Sequence, residues 1–515
     1  MAYERPGVYV REVPSQTQVS TQNTATAAAF LGTALRGPTS PVLINSWSNY
    51  VSTFGPLSND YDLGYAVYSY FANGGRDAYV TRIAPSDSTA AEATPTAMTT
   101  GGSPTSVDLF TLTAKSVGTW ANSSNASTGL RATILFDSFT TTSEDSETLT
   151  IDGNSLFGLV LTLNGTEVER WQELSFDPAS GRYVLDVLNI FSVYANCSNV
   201  VEIASGSSLT ATVIENTLNI TTAFTAGSAG SATIDEETWG DAIALYDPIK
   251  LPLLINFVGQ TATATVDKAL DYAAGRGDSF VIIDCGLTTT ADTINVSYGG
   301  NKGYGAIYFP ALKLADPARS GPAAVRNCYP GGTVAGAFIR SETTRGVAKA
   351  PAGYGLDLRN VFGLTVSPTE AQQASLYNTK NVNVIRPIPG GVYVINGART
   401  LVSNRPDKYI TIRRSLNFVK SIVEAQTAFA VFEPNDSRLW TKINNTLSQT
   451  LTNFWANGNL KGSSASEAFY IICNDTNNTS STIGDGFVNV EIGVSLLSPA
   501  EFIVINVSQW AGENA

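Results

Sequence analysis

The sequence predicts a multidomain chain of α/β and α+β character. It should have a core of mixed sheets covered by helices, an inserted β-rich sandwich or barrel, and strand-like arms at both ends. Three observations predict this. Two apolar runs, residues 251–258 (LPLLINFV) and 279–285 (SFVIIDC), flank a helical pattern at 263–274. That is a βαβ unit whose strands are buried on both faces, as in a parallel sheet. At Pro85 the composition turns to Ser, Thr, Ala and Gly, and short β-like runs separated by polar turns continue to about residue 233. Finally, both ends read as single strands outside any domain.

In chain order, the pattern Val8-Tyr9-Val10-Arg11, bounded by Pro6 and Pro14, is a strand too short to be a domain. A polar linker follows it, so residues 1–26 read as arm and linker. Residues 27–85 read as a small α/β unit. It has a strand at 27–33, a short helix capped by Asn45 or Ser46 and stopped by Gly55-Pro56, a helix with Leu63, Ala66, Val67, Tyr70 and Phe71 at helical spacing, and a strand at 77–83. Residues 86–235 form the β-rich insertion, with helical periodicity only near 182–194. Residues 236–380 read as an α/β domain and 381–498 as a mixed C-terminal domain. In the latter, 412–428 is an amphipathic helix with Ile412, Leu416, Val419, Ile422, Val423 and Gln426 along one side, and a second helix covers 436–455. The end, 499–515, carries one more strand, Phe502-Ile503-Val504-Ile505-Asn506-Val507.

Composition narrows the function. The 515 residues include 31 basic and 44 acidic side chains, a net charge of −13, with no Lys/Arg block. Nucleic-acid binding needs a basic footprint, so no nucleic-acid partner is expected. Charged residues are only 15% of the chain, against about 25% on average. Such a weakly self-repelling surface suits a protein that touches many copies of itself. No run reaches the ~18 apolar residues of a membrane span. The start, MAYERPGVYV, lacks signal-peptide character, and the four cysteines show no metal-ligand spacing. Folding in a reducing cytoplasm is therefore expected.

The sequence has no histidine. This removes the usual general base, the usual zinc ligand and every Ser-His-Asp or Cys-His device. No catalytic residue, metal or cofactor is expected, and the protein is not expected to be an enzyme. Three motifs read as structural. The glycine-rich run Gly299-Gly300-Asn301-Lys302-Gly303-Tyr304-Gly305 lacks the GK[ST] ending of a phosphate loop. Asp284 ends an apolar strand, where α/β enzymes place acids, but it has no evident partner and reads as a cap or turn residue. Arg276-Gly277-Asp278 spells an adhesion tripeptide where a tight turn is required anyway.

The two end strands carry more information. An isolated strand must pair with a sheet edge to satisfy its backbone. Each arm either folds back on its own chain or adds a strand to a neighbouring copy.

Several segments resemble the contractile phage tail sheath family. They are Arg5-Pro6-Gly7-Val8-Tyr9-Val10-Arg11-Glu12, residues 47–55, residues 73–82 (NGGRDAYVTR), Tyr308-Phe309-Pro310 and residues 336–353 (GAFIRSETTRGVAKAPAG). Further on come 381–386, Gly397-Ala398-Arg399-Thr400-Leu401, 409–414 (YITIRR), Phe432-Glu433-Pro434-Asn435-Asp436, Trp440, Glu467-Ala468-Phe469 and Ser498-Pro499-Ala500-Glu501-Phe502. They stand in family order and leave only about 86–235 without a signature. The resemblance implies a subtilisin-like fold, without the activity, for the middle domain. It implies a virion tail component, assembled in the host cytoplasm, that polymerises as stacked six-membered rings around an inner tube and contracts to drive the tube through an envelope for genome ejection. Its implied partners are further copies of itself, the tube protein, and the baseplate and tail terminator proteins, with no membrane insertion. The arms, Val8–Arg11 and Phe502–Val507, would be the linking strands. Arg413, Arg414 and Lys420 either face an acidic tube or belong to a solvated helix face. The sheath of a phage-derived injection system or tailocin is an alternative within the class. A self-assembling surface-layer protein or adhesin, disfavoured by the absent signal peptide, and an α/β hydrolase, disfavoured by the absent histidine, are the alternatives outside it.

Overall fold

The computed structural model describes residues 26–99, 106–136, 140–143, 146–152, 155–203, 208–213, 219–321, 324–403, 407–484 and 486–501. The predicted arm strands, residues 8–11 and 502–507, lie outside the described residues.

The body is built on one eight-stranded sheet. Its strands are β1 (Ala27–Gly32), β2 (Val42–Ile44), β3 (Ala78–Arg82), β4 (Leu253–Phe257), β5 (Phe280–Ile283), β6 (Gly305–Phe309), β7 (Asn383–Ile388) and β8 (Val392–Asn396). Their spatial order is β2-β3-β1-β4-β5-β6-β7-β8. The six inner strands pair in parallel, and an antiparallel strand closes each edge. The apolar runs at β4 and β5 are buried along their whole length, as strands covered on both faces must be.

Alternation along β1 separates the two faces. Ala28 and Phe30 point to a layer made by α1 (Trp47–Phe54), α2 (Leu63–Ala72) and, later in the chain, the helix Gly331–Arg345. Ala27, Ala29 and Leu31 point to the opposite layer, where α3 (Glu236–Ala244) brings Trp239 and Ile243 and α4 (Thr263–Arg276) brings Val266 and Leu270. Helix ends follow their sequence signals. Ser46 accepts the Asn49 N–H at 3.2 Å and caps α1, and Asp235 accepts the Thr238 N–H at 2.9 Å and caps α3. Gly277, at φ 75°, terminates α4 in the left-handed conformation.

The helix Gly331–Arg345 (α5) lies hard against α2. A Cβ on Gly332 would sit 2.1 Å from the Ala66 carbonyl oxygen, and one on Gly336 would sit 2.5 Å from that of Tyr70. Only glycine allows the two backbones to come this close.

The sheet does not respect the boundary read at 381. β7 and β8, assigned by sequence to the C-terminal domain, complete the sheet begun by β1 and β3. A two-stranded ribbon is marginal alone, and parallel pairing of β7 with β6 gives it a core. The helix α6 (Glu370–Asn378), opened by a Thr369/Gln372 capping box, buries Leu376 beneath it.

Between β3 and α3, residues 90–224 gather a separate core around Phe110, Phe157 and Phe176, the last two stacked at 4.5 Å. Its described strands form five-, four- and three-stranded sheets with one helix, Val184–Phe191. The two connections to the body run side by side: Asp87 accepts the N–H groups of Ser231 and Ala232 at 2.8 to 3.0 Å. Arg82 ties the sheet to this region, donating to the carbonyls of Ala34 and Val117. Arg36 stacks over Tyr194 at 4.6 Å.

Beyond the sheet come α7 (Ile410–Thr427), α8 (Ser437–Ala456) and the antiparallel pair β9 (Phe469–Ile472) and β10 (Glu491–Val494). Asp436 caps α8 by accepting the N–H groups of Arg438 and Leu439. Phe418 of α7 stacks on Phe454 of α8 at 5.5 Å, and Val494 and Ile492 of β10 pack on the same cluster.

Candidate functional site

The motifs weighed as chemistry are consumed by structure. Asp284 is buried, and its carboxylate accepts the N–H of Gly331 at 2.7 Å, the N–H of Gly259 at 3.0 Å and the amide of Asn256 at 3.1 Å. Burial pushes its pKa up to about 6, against the opposing pull of these hydrogen bonds. It ties the first residue of α5 to the ends of two strands.

In the glycine-rich loop, the N–H groups of Gly299 and Asn301 are taken by the carboxylates of Asp267 and Asp271. A phosphate would meet two negative charges there. Arg276 pairs with Asp278 at 2.9 Å and donates to the carbonyls of Tyr246, Ile249 and Leu251. That folds the adhesion-like tripeptide into its own turn. The four cysteines are free and buried. Desolvation pushes Cys197 and Cys328 up to about 12, so neither is a thiolate near neutral pH. Among the described residues, no cluster of three carboxylate or thiol side chains could hold a metal, and no helix is long and apolar enough to cross a membrane.

The arginines of α7 require a correction. Arg413 and Arg414 are 8% and 5% exposed, so neither presents charge to an outside partner. Arg413 pairs with Asp407 and stacks over Tyr304 at 4.5 Å. Arg414 pairs with Glu342 of α5 and lies over Phe338 at 5.0 Å. The helix buries a face carrying Arg413, Arg414 and Asn417, while Ile412, Leu416, Ile422 and Val423 are only half-buried. Carboxylates and a carbonyl waiting on the body make that polar face insertable. Asn417 donates to the Ser279 carbonyl at 2.9 Å. Lys420 is exposed.

Two further sites are built with similar chemistry. At Thr26, the hydroxyl donates to Glu342 Oε1 at 2.7 Å, and the other oxygen of Glu342 accepts from Arg414. At Glu501, the carboxylate receives a two-point hydrogen bond from Arg399, Nε at 2.9 Å and Nη2 at 2.7 Å, and the Tyr377 hydroxyl donates to it at 2.5 Å. The Arg399 guanidinium lies over the Tyr377 ring at 3.8 Å. Burial opposes the Glu501 charge, but the bonds from Arg399 and Tyr377 outweigh it and hold the carboxyl below the usual glutamate range. Arg399 is itself fixed by Asn383 of β7, which accepts its N–H and donates to its carbonyl, both at 2.8 Å. Beside Glu501 lies a groove of about 680 Å³ lined by Ala350, Ala374, Tyr377, Ile395 and Pro499, among others.

Sequence reading quoted Arg399 and Glu501 within separate motifs but did not join them, because 102 residues separate the partners. Glu342 lies within the quoted run 336–353 but was not singled out there, and Tyr377 carried no signal of its own.

The hairpin β9–β10 is the other notable surface. Among the described residues no further strand pairs with either of its edges. Phe469, Ile471, Ile492 and Val494 are half-buried against α7 and α8, and Tyr470 is exposed. Just past β10, Leu460 bridges Leu496 and the Lys461 N–H donates to the Ser495 carbonyl at 2.8 Å; the strands β9 and β10 themselves offer sheet edges on a supported surface.

As a whole the fold is similar to that of sheath proteins. No family model matches the sequence, and no curated protein matches it. Among solved structures, the chain is similar to the helical sheath of the anti-feeding prophage (AFP) in its contracted state. The identity is 18%, over 99% of this chain and 100% of that one, with a TM-score of 0.56. It is similar to the contracted PVC sheath complex of an extracellular contractile injection system at 18% identity, 99% of both chains and a TM-score of 0.54. It is also similar to the sheath tail protein Lin1278 from Listeria innocua at 12% identity, 88% of this chain and 89% of that one, with a TM-score of 0.59. The resemblance carried by the sequence motifs therefore holds at the level of the fold.

Proposed function

We propose that this protein is a structural, non-enzymatic subunit of a contractile sheath. Copies polymerise as stacked six-membered rings around an inner tube, attached to a baseplate and a terminator. Contraction drives the tube through the target envelope. The observation that carries this reading is the likeness of the fold to sheath chains over nearly the full length of both partners. A second observation supports it. The hairpin β9–β10 is two strands wide, and a sheet that narrow gains most from strands supplied by neighbours. In this reading residues 8–11 and 502–507 of adjacent copies complete it. About six to eight backbone hydrogen bonds at ~1 kcal/mol net each would make such a link strong before ordering costs. With Arg413 and Arg414 buried, Lys420 is the member of the three-residue set that can face an acidic tube.

A tail that ejects a genome and an injection device both use this machine. Sheaths of injection systems and sheath tail proteins are both among the similar structures, and capsid and portal genes beside this one would mark a phage tail.

Electron microscopy of the purified protein tests the reading. Hollow cylinders are expected, and deletion of residues 1–18 or 500–512 should abolish them. Compact monomers or flat arrays from the intact chain would overturn it.

A further inference from the structure

The turn between α7 and α8 presents an apolar tip that the body does not cover. Phe432 is fully exposed, and Val431 and Phe487 are 66% and 63% exposed. The tip is firmly built. The Asn435 amide donates to the Phe487 carbonyl at 2.9 Å, and the Trp440 indole N–H donates to the Asn435 side-chain oxygen at 2.9 Å. Asp436 then caps α8. Phe432 itself has φ 65°, a conformation that bulky side chains rarely adopt. Large apolar side chains held in water on a fixed turn point to a contact surface.

The groove of about 680 Å³ beside α6 has the complementary character. Its wall is mostly apolar, with Ala350, Ala374, Tyr377, Ile395 and Pro499. Pockets that enclose a ligand run to roughly 300–1,000 Å³, so there is ample room for a phenylalanine ring. Lys349 also stands on the wall. Among the described residues, Lys349 has no carboxylate partner, and Glu433, next to Phe432, has no basic one. The hydrogen bond of the Lys349 ammonium among those residues is to the Ala352 carbonyl, at 3.4 Å. Burial and the nearby Arg345 pull its pKa down, so its charge gains from an incoming carboxylate. The Phe432 ring is exposed, so the chain's own groove does not hold it. A knob and a hole at different places on one chain join copies head to tail, and such contacts need not close.

We propose that Phe432 of one copy enters the groove beside α6 of the next, with Glu433 of the first meeting Lys349 of the second. This rests on the sheath reading and deepens it, by naming a side-chain contact between copies apart from the strands of the arms. The ring supplies the burial, and the ion pair sets the register.

The four native cysteines are buried, so introduced thiols can be read alone. Glu433→Cys and Lys349→Cys subunits, mixed and treated with a short bis-maleimide, should give a dimer joining one of each. Neither variant by itself should cross-link. Cylinder assembly of Phe432→Ala should need about tenfold more protein than wild type, as loss of an aromatic anchor does. Its thermal midpoint should stay at the wild-type value, because the ring is exposed in the free subunit. Ala374→Trp, which fills the groove from α6, should impair assembly to a similar degree, and it serves if Phe432→Ala does not fold. Glu433→Lys and Lys349→Glu should each weaken assembly, and the two together in one chain should restore it. Absence of the mixed cross-link, or wild-type assembly of Phe432→Ala, would overturn the proposal. Weakening by Ala374→Trp alone would also overturn it, by giving the groove to another occupant such as residues 502–515. If the wild-type chain forms no cylinders, the sheath reading fails, and the mixed cross-link in soluble subunits still decides this contact.

Discussion

At the scale of the residue, the most informative side chains are buried charges that do no chemistry. Asp284 shows how such a group betrays itself. Its folded pKa of about 6 lies above the ordinary carboxylate value of 3.8, so the folded state holds the proton more tightly than the unfolded one. The stability it contributes is full below about 3.8 and is lost as pH rises through about 6. Asp284→Asn cannot titrate, and it turns an amide toward N–H donors that a carboxylate had satisfied. We expect it to cost about 1–3 kcal/mol. The gap from wild type should narrow as pH rises through that window, as read by urea midpoints at each pH; a gap that widens would contradict the assignment. The sequence showed Asp284 at the end of an apolar strand and indicated a cap role. It could not show the three donors, which come from residues 25 to 47 positions away. Arg413 and Arg414 were misread for the same reason. On a helical wheel two adjacent cations mark a solvated face, and only the folded chain brings Glu342 to within reach, 72 residues distant.

At the scale of the element, continuous apolar runs were legible because they need no partner to be recognised. β4 and β5, the caps of α1, and the stop at Gly277 all follow from local chemistry. What was not legible was which strands share a sheet. Strands β7 and β8 look like a local hairpin in sequence, and only parallel pairing with β6 shows them to be the sheet's far edge. The α2–α5 crossing was hidden too, because a glycine in a helix reads simply as a weakness of about 1 kcal/mol. Here Gly336 permits backbone contact. Gly336→Ala should therefore destabilise the fold by about 1–3 kcal/mol, the usual cost of overpacking, despite the better helix propensity of alanine. Thermal unfolding would measure it. A rise in midpoint would mean that the two helices separate without penalty.

At the scale of the whole molecule, a chain of net charge −13 would have to overcome its own field to assemble with itself as the proposed function requires. Raising salt from about 0.01 M to about 0.15 M shortens the Debye length from about 30 Å to about 8 Å. Assembly should become faster and more complete over that range, as followed by light scattering, while the Arg399–Glu501 pair, being buried, is little screened. Weaker assembly with added salt would indicate that interfaces are dominated by opposite charges. The sheet-based body itself is split in sequence around residues 90–224, a region for which sequence offered composition but no motif. It has a core of phenylalanines of its own, and meets the body through Arg36 and Arg82.

The clasp at Asp87 has a practical consequence. Because Asp87 holds Ser231 and Ala232, the region between them leaves and re-enters the body through a single narrow doorway. Chain ends that lie together are where proteins tolerate replacement of one domain by another. The doorway makes this chain a ready chassis: an enzyme, a binding module or a fluorescent reporter whose own termini are adjacent could be grafted there, so that every repeat of a long polymer would display one copy of the cargo.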